Sequence, residues 1–169
     1  MRKALLLIAL TSVGAPSASW AQNLSVVPQG GRVADLVRAP ANSEMAYVAG
    51  QTADPISKGP PAKFGNTQAQ TVSVLGKIQK LLATQGFTLE DVVMMRVALV
   101  GDPAKGGAMD FAGMNAGYAQ FFTATHHKPA RMTTRVAALV TPGALVEIEV
   151  QAARTPGAPQ VQAQPGTPK

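Results

Sequence analysis

Pro129-Ala130-Arg131-Met132-Thr133-Thr134-Arg135-Val136-Ala137 and, beyond a Thr141-Pro142-Gly143 turn, Ala144-Leu145-Val146-Glu147-Ile148-Glu149-Val150 form the stretch whose reading decides the fold. Both runs alternate with period two and little separates them, so the pattern predicts a β-hairpin with one packed face and one charged face. Side chains of a strand point alternately to its two sides. Arg131, Thr133 and Arg135 therefore share a face of the first strand, and Glu147, Glu149 and Gln151 share a face of the second. Across a hairpin those two rows would meet. A guanidinium is a planar fork of donors that keeps its charge and suits a small carboxylate, and a glutamate beside it could position or activate a water. A cross-strand ladder of solvated ion pairs, each worth little, is the simpler account of the same residues.

Working outward, Asp91 to Val100 is almost continuously apolar, the pattern of a strand covered on both faces, with methionines as core filler. Upstream of it, Asn66 or Thr67 can cap a helix running to about Gln85, with Gly86 as its terminator. Val74, Leu75, Ile78, Leu81 and Leu82 recur at three- and four-residue intervals and make one apolar stripe. A second helix begins near Asp110 and runs to about Thr123, with Phe111, Met114, Tyr118, Phe121 and Phe122 on its apolar face. Asn115 lies beside that stripe. A polar amide there needs partners, so it is either a clamp on a loop or a site residue.

Nearer the N-terminus, Leu24–Val27, Val33–Val37 and Met45–Gln51 have the composition of short strands, the first two joined by a Pro28-Gln29-Gly30-Gly31 turn. The Pro- and Gly-rich segment from Thr52 to Gly65 is a loop. Gly101 to Gly107 is another, without the Gly-Lys-Ser/Thr ending of a phosphate-binding loop. The order is β-β-β-α-β-α-β-β, an α+β single domain with two right-handed βαβ crossovers and both helices on one face of a mixed sheet. Two helices cover only one face of such a sheet, and the other carries too much Val, Ala and Leu to stay wet. That points to a homo-oligomer.

Composition narrows the function classes. The 169 residues carry no cysteine, which excludes disulfides, thiol catalysis and thiolate metal sites. His126 and His127 are adjacent on a connector with no third histidine in the chain, a poor metal site. Arg2 and Lys3, an apolar run from Ala4 to Val13 and the ending Ser19-Trp20-Ala21 follow the plan of a secretory leader cut after Ala21. Residues 1–21 are thus expected to be a signal peptide, 22–154 the domain, and 155–169 a disordered Pro/Gly/Gln tail. The mature protein is expected to be secreted or periplasmic and free of the membrane after cleavage. Removing Arg2 and Lys3 from the 15 basic residues leaves 13 against 9 acidic ones, a net charge of +4. These basic residues are scattered, with no run and no aromatic interleaving, so a nucleic-acid partner has little support.

Several motifs together carry a family resemblance. They are Ala49-Gly50-Gln51, Gln70-Thr71, Leu89-Glu90-Asp91-Val92-Val93, Phe111-Ala112-x-x-Asn115-x-x-Tyr118-x-x-Phe121-Phe122, Pro129-Ala130-Arg131 and Ala144–Val150. In this order and spacing, from Met45 to Ala153, the chain resembles the RidA family of reactive-intermediate deaminases. The resemblance implies a chorismate-mutase-like fold assembled as a homotrimer, with a pocket in each cleft between subunits. It further implies hydrolysis of 2-imino acids, tautomers of 2-enamino acids, to 2-oxo acids and ammonia without a cofactor. Arg131 matches the arginine that grips the substrate carboxylate, Glu147 the glutamate that holds the water, Asn115 the asparagine near the pocket, and Gly50 the glycine beside it. Many active members have Ser where this chain has Ala49 and Cys where it has Thr133, and a pocket tyrosine upstream where Ala34–Val37 offers none. A non-catalytic trimer that binds small 2-oxo acids is therefore the alternative.

Trp20 is the only tryptophan, so cleavage after Ala21 leaves a protein that absorbs through Tyr47 and Tyr118 alone. Intact mass of protein recovered from the host should begin at Gln22, with no indole fluorescence; a mass that retains Met1 to Ala21 contradicts the leader.

Overall fold

The structure, a computed structural model, describes residues 24–156 except 29, 58, 60 and 61. The expected leader, and all but the first two residues of the expected tail, lie outside the described residues. Six strands and two helices follow in the expected order: β1 (Ser25–Pro28), β2 (Ala34–Arg38), β3 (Glu44–Thr52), α1 (Thr67–Thr84), β4 (Val92–Leu99), α2 (Phe111–Phe122), β5 (Ala130–Arg135) and β6 (Val146–Arg154).

Local chemistry explains the helix boundaries. The Asn66 side chain accepts a hydrogen bond from the Ala69 N–H at 2.9 Å and so satisfies a donor that the first turn of α1 leaves free. At the other end Gly86 adopts φ 71°, which only glycine enters without strain, and Phe87 N–H returns to the Leu82 carbonyl at 3.0 Å. Asp110 caps α2 by accepting from Gly113 N–H at 3.0 Å. Val74, Leu75, Ile78 and Leu82 of α1 are buried with Met114, Tyr118 and Phe122 of α2 against Met95, Val97, Leu99, Val146, Ile148 and Val150 of the sheet. Leu81, expected on the same stripe, and Phe111, expected on the second, are both more than 40% exposed.

The hairpin is where the structure corrects the pattern. All six strands form one sheet in the order β1-β2-β5-β4-β6-β3, so β4 lies between β5 and β6. It runs parallel to β5, with Met95 opposite Arg131 and Leu99 opposite Arg135, and antiparallel to β6, with Met95 opposite Val150 and Leu99 opposite Val146. The turn itself exists, closed by Ala144 N–H to the Thr141 carbonyl at 3.1 Å with Gly143 at φ 84°. Yet it carries the chain past the end of β4, where Val136 N–H reaches the Leu99 carbonyl and Val100 N–H reaches the Leu145 carbonyl, each at 2.9 Å. The physical reason is that β4 is the most apolar strand, and a central position satisfies its backbone on both edges and buries more of it. Alternation tells which way a side chain points but not which strand lies alongside.

Register then decides the faces. Arg131, Met95 and Val150 are mutual neighbours, so the Arg131 side of β5 is the side covered by the helices. Glu147 pairs with Ala98 and Glu149 with Arg96, on the other side. The two rows expected to meet are thus on opposite faces of the sheet. The expectation that β4 is covered on both faces also fails within one chain: Met95, Val97 and Leu99 are buried, while Arg96 opposite them is exposed. By register the open face also presents Leu36, Met132 and Tyr47, 50, 49 and 71% exposed.

A single buried amide ties this arrangement to α1. Gln70 is 1% exposed; its carbonyl oxygen accepts from Leu145 N–H at 2.7 Å and its amide donates to the Gly65 carbonyl at 3.0 Å. Replacing it with the similarly sized Met leaves both backbone groups without a partner. Gln70→Met is expected to lose about 1–3 kcal/mol in urea denaturation; a loss within error would mean that water satisfies the Leu145 amide instead.

Candidate functional site

Two groups of site residues stand apart. The first is built on β5 and α2. Arg131 extends from the helix-covered face of β5, and its Nη2 donates to Asn115 Oδ1 at 2.8 Å while Nη1 lies 3.8 Å from Met114 Sδ. The guanidinium carbon sits 4.5 Å from the centre of the Tyr118 ring and 5.9 Å from that of Phe111, both cation–π distances. Asn115, Tyr118 and Phe111 fall on one side of α2 because they are three and four residues apart. Of the two readings of Asn115, the clamp on a loop is therefore wrong: its partner is the guanidinium.

The electrostatics of this group are unusual for a protein interior. Arg131 is half-buried, yet it takes part in none of the ion pairs among the described residues. Burial lowers its tendency to hold a proton, the Tyr118 phenol works in the opposite direction, and the neighbouring Arg32 charge adds to the fall. Burial likewise pushes the Tyr118 phenol up, with Arg131 opposing it. Tyr118 Oη and Thr133 Oγ1 are buried without a hydrogen-bond partner among the described residues. Thr133 is two residues along β5 from Arg131 and on its face. A half-buried cation with N–H donors that no carboxylate among the described residues takes has the chemistry to accept a small oxyanion.

The second group is built on β3 and β6, across the sheet. Register slips between Val48 and Gln51, where β3 supplies Ala49 and Gly50 opposite Glu149 alone, a β-bulge. Gly50 brings its α-carbon against the Glu147 carboxylate: a side-chain carbon built there would lie 2.9 Å from Glu147 Cδ and nearer still to its oxygen. Gly50 does not have positive φ, so space rather than backbone conformation calls for glycine. Glu147 is in none of the ion pairs among the described residues, whereas its neighbour Glu149 is paired with Arg96 on the same open face.

The structure thus brings Arg131 and Asn115 together, with Thr133 further along the same face of β5, and separately Glu147, Gly50 and Ala49, but does not bring the two groups together within one chain. Sequence reasoning missed Arg32. It precedes β2, whose Ala34 N–H donates to the Pro129 carbonyl at 3.0 Å, and it lines a groove of about 400 Å³ with Phe111, Ala112, Asn115, Ala116 and Ala119. Arg131 itself is not part of that lining; it contacts two of its residues, Asn115 and Phe111. No sequence signal marks Arg32, because the pairing of β2 with β5 joins segments almost a hundred residues apart. Of the two adjacent histidines, His126 is exposed with Nδ1 3.2 Å from Glu90 Oε1, while His127 is half-buried with Nε2 3.3 Å from the Val92 carbonyl. Among the described residues no cluster of His, Asp and Glu is arranged to hold a metal, and no helix is long and apolar enough to cross a membrane.

Comparison with known proteins agrees on the fold. A family model described as Endoribonuclease L-PSP matches residues 32–154. A RutC family protein of Pyrococcus horikoshii is 35% identical over 103 residues, 61% of this chain and 74% of that protein. Among solved structures, YyfB of the conserved Rid protein family from Yersinia pestis superimposes with a TM-score of 0.60 at 26% identity, covering 77% of this chain and 98% of its own. A member of the YjgF/YER057c/UK114 family from Mycobacterium tuberculosis gives a TM-score of 0.51 at 28% identity, covering 77% and 98%.

The atoms that a Gly50 side chain would meet are the far end of a flexible glutamate. Gly50→Ala is therefore expected to cost less than about 1 kcal/mol of stability while turning the Glu147 carboxylate away. A crystal structure of the variant with Glu147 unmoved, or a collapse of its melting temperature, would contradict this account of the glycine.

Proposed function

The chain belongs to the RidA family, and from that membership and its two half-sites we propose that it is a cofactor-independent imine deaminase, hydrolysing 2-imino acids to 2-oxo acids and ammonia. Membership supports a Rid-like function in general; the specific reaction is our reading of the site. The observation that carries it is Arg131: a half-buried guanidinium without a carboxylate partner among the described residues, oriented by Asn115 and the Tyr118 ring. Such a fork matches both oxygens of a 2-imino acid.

The chemistry asks little beyond position. Protonation makes the imine carbon electrophilic; water adds to it, a proton moves from the adding oxygen to nitrogen, and ammonia leaves as the carbonyl forms. Arg131 holds the carboxylate and so fixes that carbon in place. Glu147 orients the water and accepts its proton. Because Glu147 lies on the opposite face of its own sheet, the complete site needs Glu147 from a second copy. A homotrimer meets that need, and it also covers Leu36, Met132 and Tyr47 on the open face. The expected leader would carry the reaction to the periplasm or beyond. Scattered basic residues and the acidic Glu147 and Glu149 on the open face weigh against RNA as the substrate.

Arg131→Ala should lose about 2–4 kcal/mol of transition-state stabilisation, roughly thirty- to a thousand-fold in kcat/KM, and Arg131→Lys should recover little of it. Glu147→Gln should depress kcat while binding of a 2-oxo acid persists. Refolding Arg131→Ala and Glu147→Gln chains together should restore activity at roughly a quarter of the sites, those that draw each intact residue from a different chain. Activity of Arg131→Ala equal to wild type rejects the assignment, a mixture no better than its parents rejects the shared site, and a monomer by light scattering rejects the trimer. A wild type that binds 2-oxo acids and hydrolyses nothing is the non-catalytic binding protein instead, in keeping with Ala49 and Thr133.

A further inference from the structure

We propose that Arg32 is a specificity residue that takes the second carboxylate of a dicarboxylic 2-imino or 2-oxo acid whose first carboxylate lies on Arg131. The proposal deepens the reading of Arg131 as a carboxylate anchor and rests on it.

The groove in front of Arg131 has one charged residue on its wall, Arg32. Its other lining comes from one side of α2: Phe111 and Asn115, with Ala112, Ala116 and Ala119 at three- and four-residue spacing as a wall of small side chains. Two of these residues also hold Arg131. Phe111 stands beneath its guanidinium, and Asn115 Oδ1 accepts from its Nη2 at 2.8 Å. The groove and the fork therefore share Asn115 and Phe111 as a common wall. Since its oxygen is engaged by Arg131, the Asn115 amide N–H groups are available to a ligand lying in the groove.

The position of Arg32 is set by the backbone. Ala34 pairs with Ala130, one residue before Arg131, and donates to the Pro129 carbonyl, so the segment leading into β2 is fastened to the start of β5. Arg32 forms none of the ion pairs among the described residues, and its charge opposes that of Arg131. One uncompensated cation on the groove wall and a second held against Asn115 and Phe111 of the same wall raise the local potential for a dianion more than for a monoanion. A monocarboxylate occupies the fork and leaves Arg32 in water. A dicarboxylate reaching along the alanine wall neutralises both.

The test compares mature wild type with Arg32→Gln and Arg32→Lys on 2-iminoglutarate and 2-iminobutanoate, and measures the Kd of 2-oxoglutarate and 2-oxobutanoate by calorimetry. Because Arg32 is exposed, its worth is that of a surface ion pair, so Arg32→Gln should narrow the preference for the dicarboxylate roughly two- to five-fold. Arg32→Lys should recover most of it, since one charge suffices there, and added salt should erode the wild-type preference. Equal losses for both substrates in Arg32→Gln, or a wild type that does not prefer the dicarboxylate, overturn the proposal. If wild type hydrolyses neither imine, the deaminase reading fails while calorimetry still decides this one: a dicarboxylate preference lost in Arg32→Gln upholds it, and unchanged ratios of Kd overturn it.

Discussion

The double hydrogen bonding of β4, parallel to β5 on one edge and antiparallel to β6 on the other, is the constraint from which the rest of the molecule follows. A strand reading Val-Val-Met-Met-Arg-Val-Ala-Leu loses most if an edge is left to solvent, and the centre of the sheet removes that cost. Once β4 is central, the connection after β5 must pass over its end. The helix-covered face then receives Arg131 and Thr133, and the open face receives Glu147 and Glu149. Gln70 holds the crossing in place by capping Leu145 from inside α1.

Separating Arg131 from the glutamates has a chemical consequence. Had the two rows met, the guanidinium would be neutralised by a carboxylate of its own chain, as Arg96 is by Glu149. Instead its neighbours are an amide oxygen, a thioether and two aromatic faces, which orient the fork without cancelling its charge. Desolvation makes such a cation costly, and an anionic ligand would offset that cost. Glu147, resting on Gly50 at the far edge of the sheet, likewise forms no ion pair among the described residues. Each half-site is therefore held in a state that a single chain does not complete, which is the physical basis for reading the active unit as an oligomer.

Much of this was legible in the chain itself. The caps Asn66 and Asp110, the terminator Gly86 and the stripes Val74-Leu75-Ile78-Leu82 and Met114-Tyr118-Phe122 are local signals, and they defined both helices because helix ends and faces depend on residues within a few positions of each other. Alternation likewise identified β5 and β6 as strands and correctly sorted their side chains within each strand. The RidA motifs singled out Arg131, Asn115, Glu147 and Gly50 by position.

What only the tertiary structure decided was adjacency. Period-two patterns leave strand order open, so the sequence allowed the Arg131 and Glu147 rows to meet across a hairpin, whereas the insertion of β4 set them on opposite faces. Neither the partnership of Asn115 with Arg131 nor the approach of Arg32 to the same groove has a local signature, since each joins segments brought together by the crossover through α2 or by the pairing of β2 with β5. Residue chemistry and secondary structure are written in short-range preferences; which charges neighbour one another is set by long-range burial, and here burial kept Arg131 free of a carboxylate from its own chain.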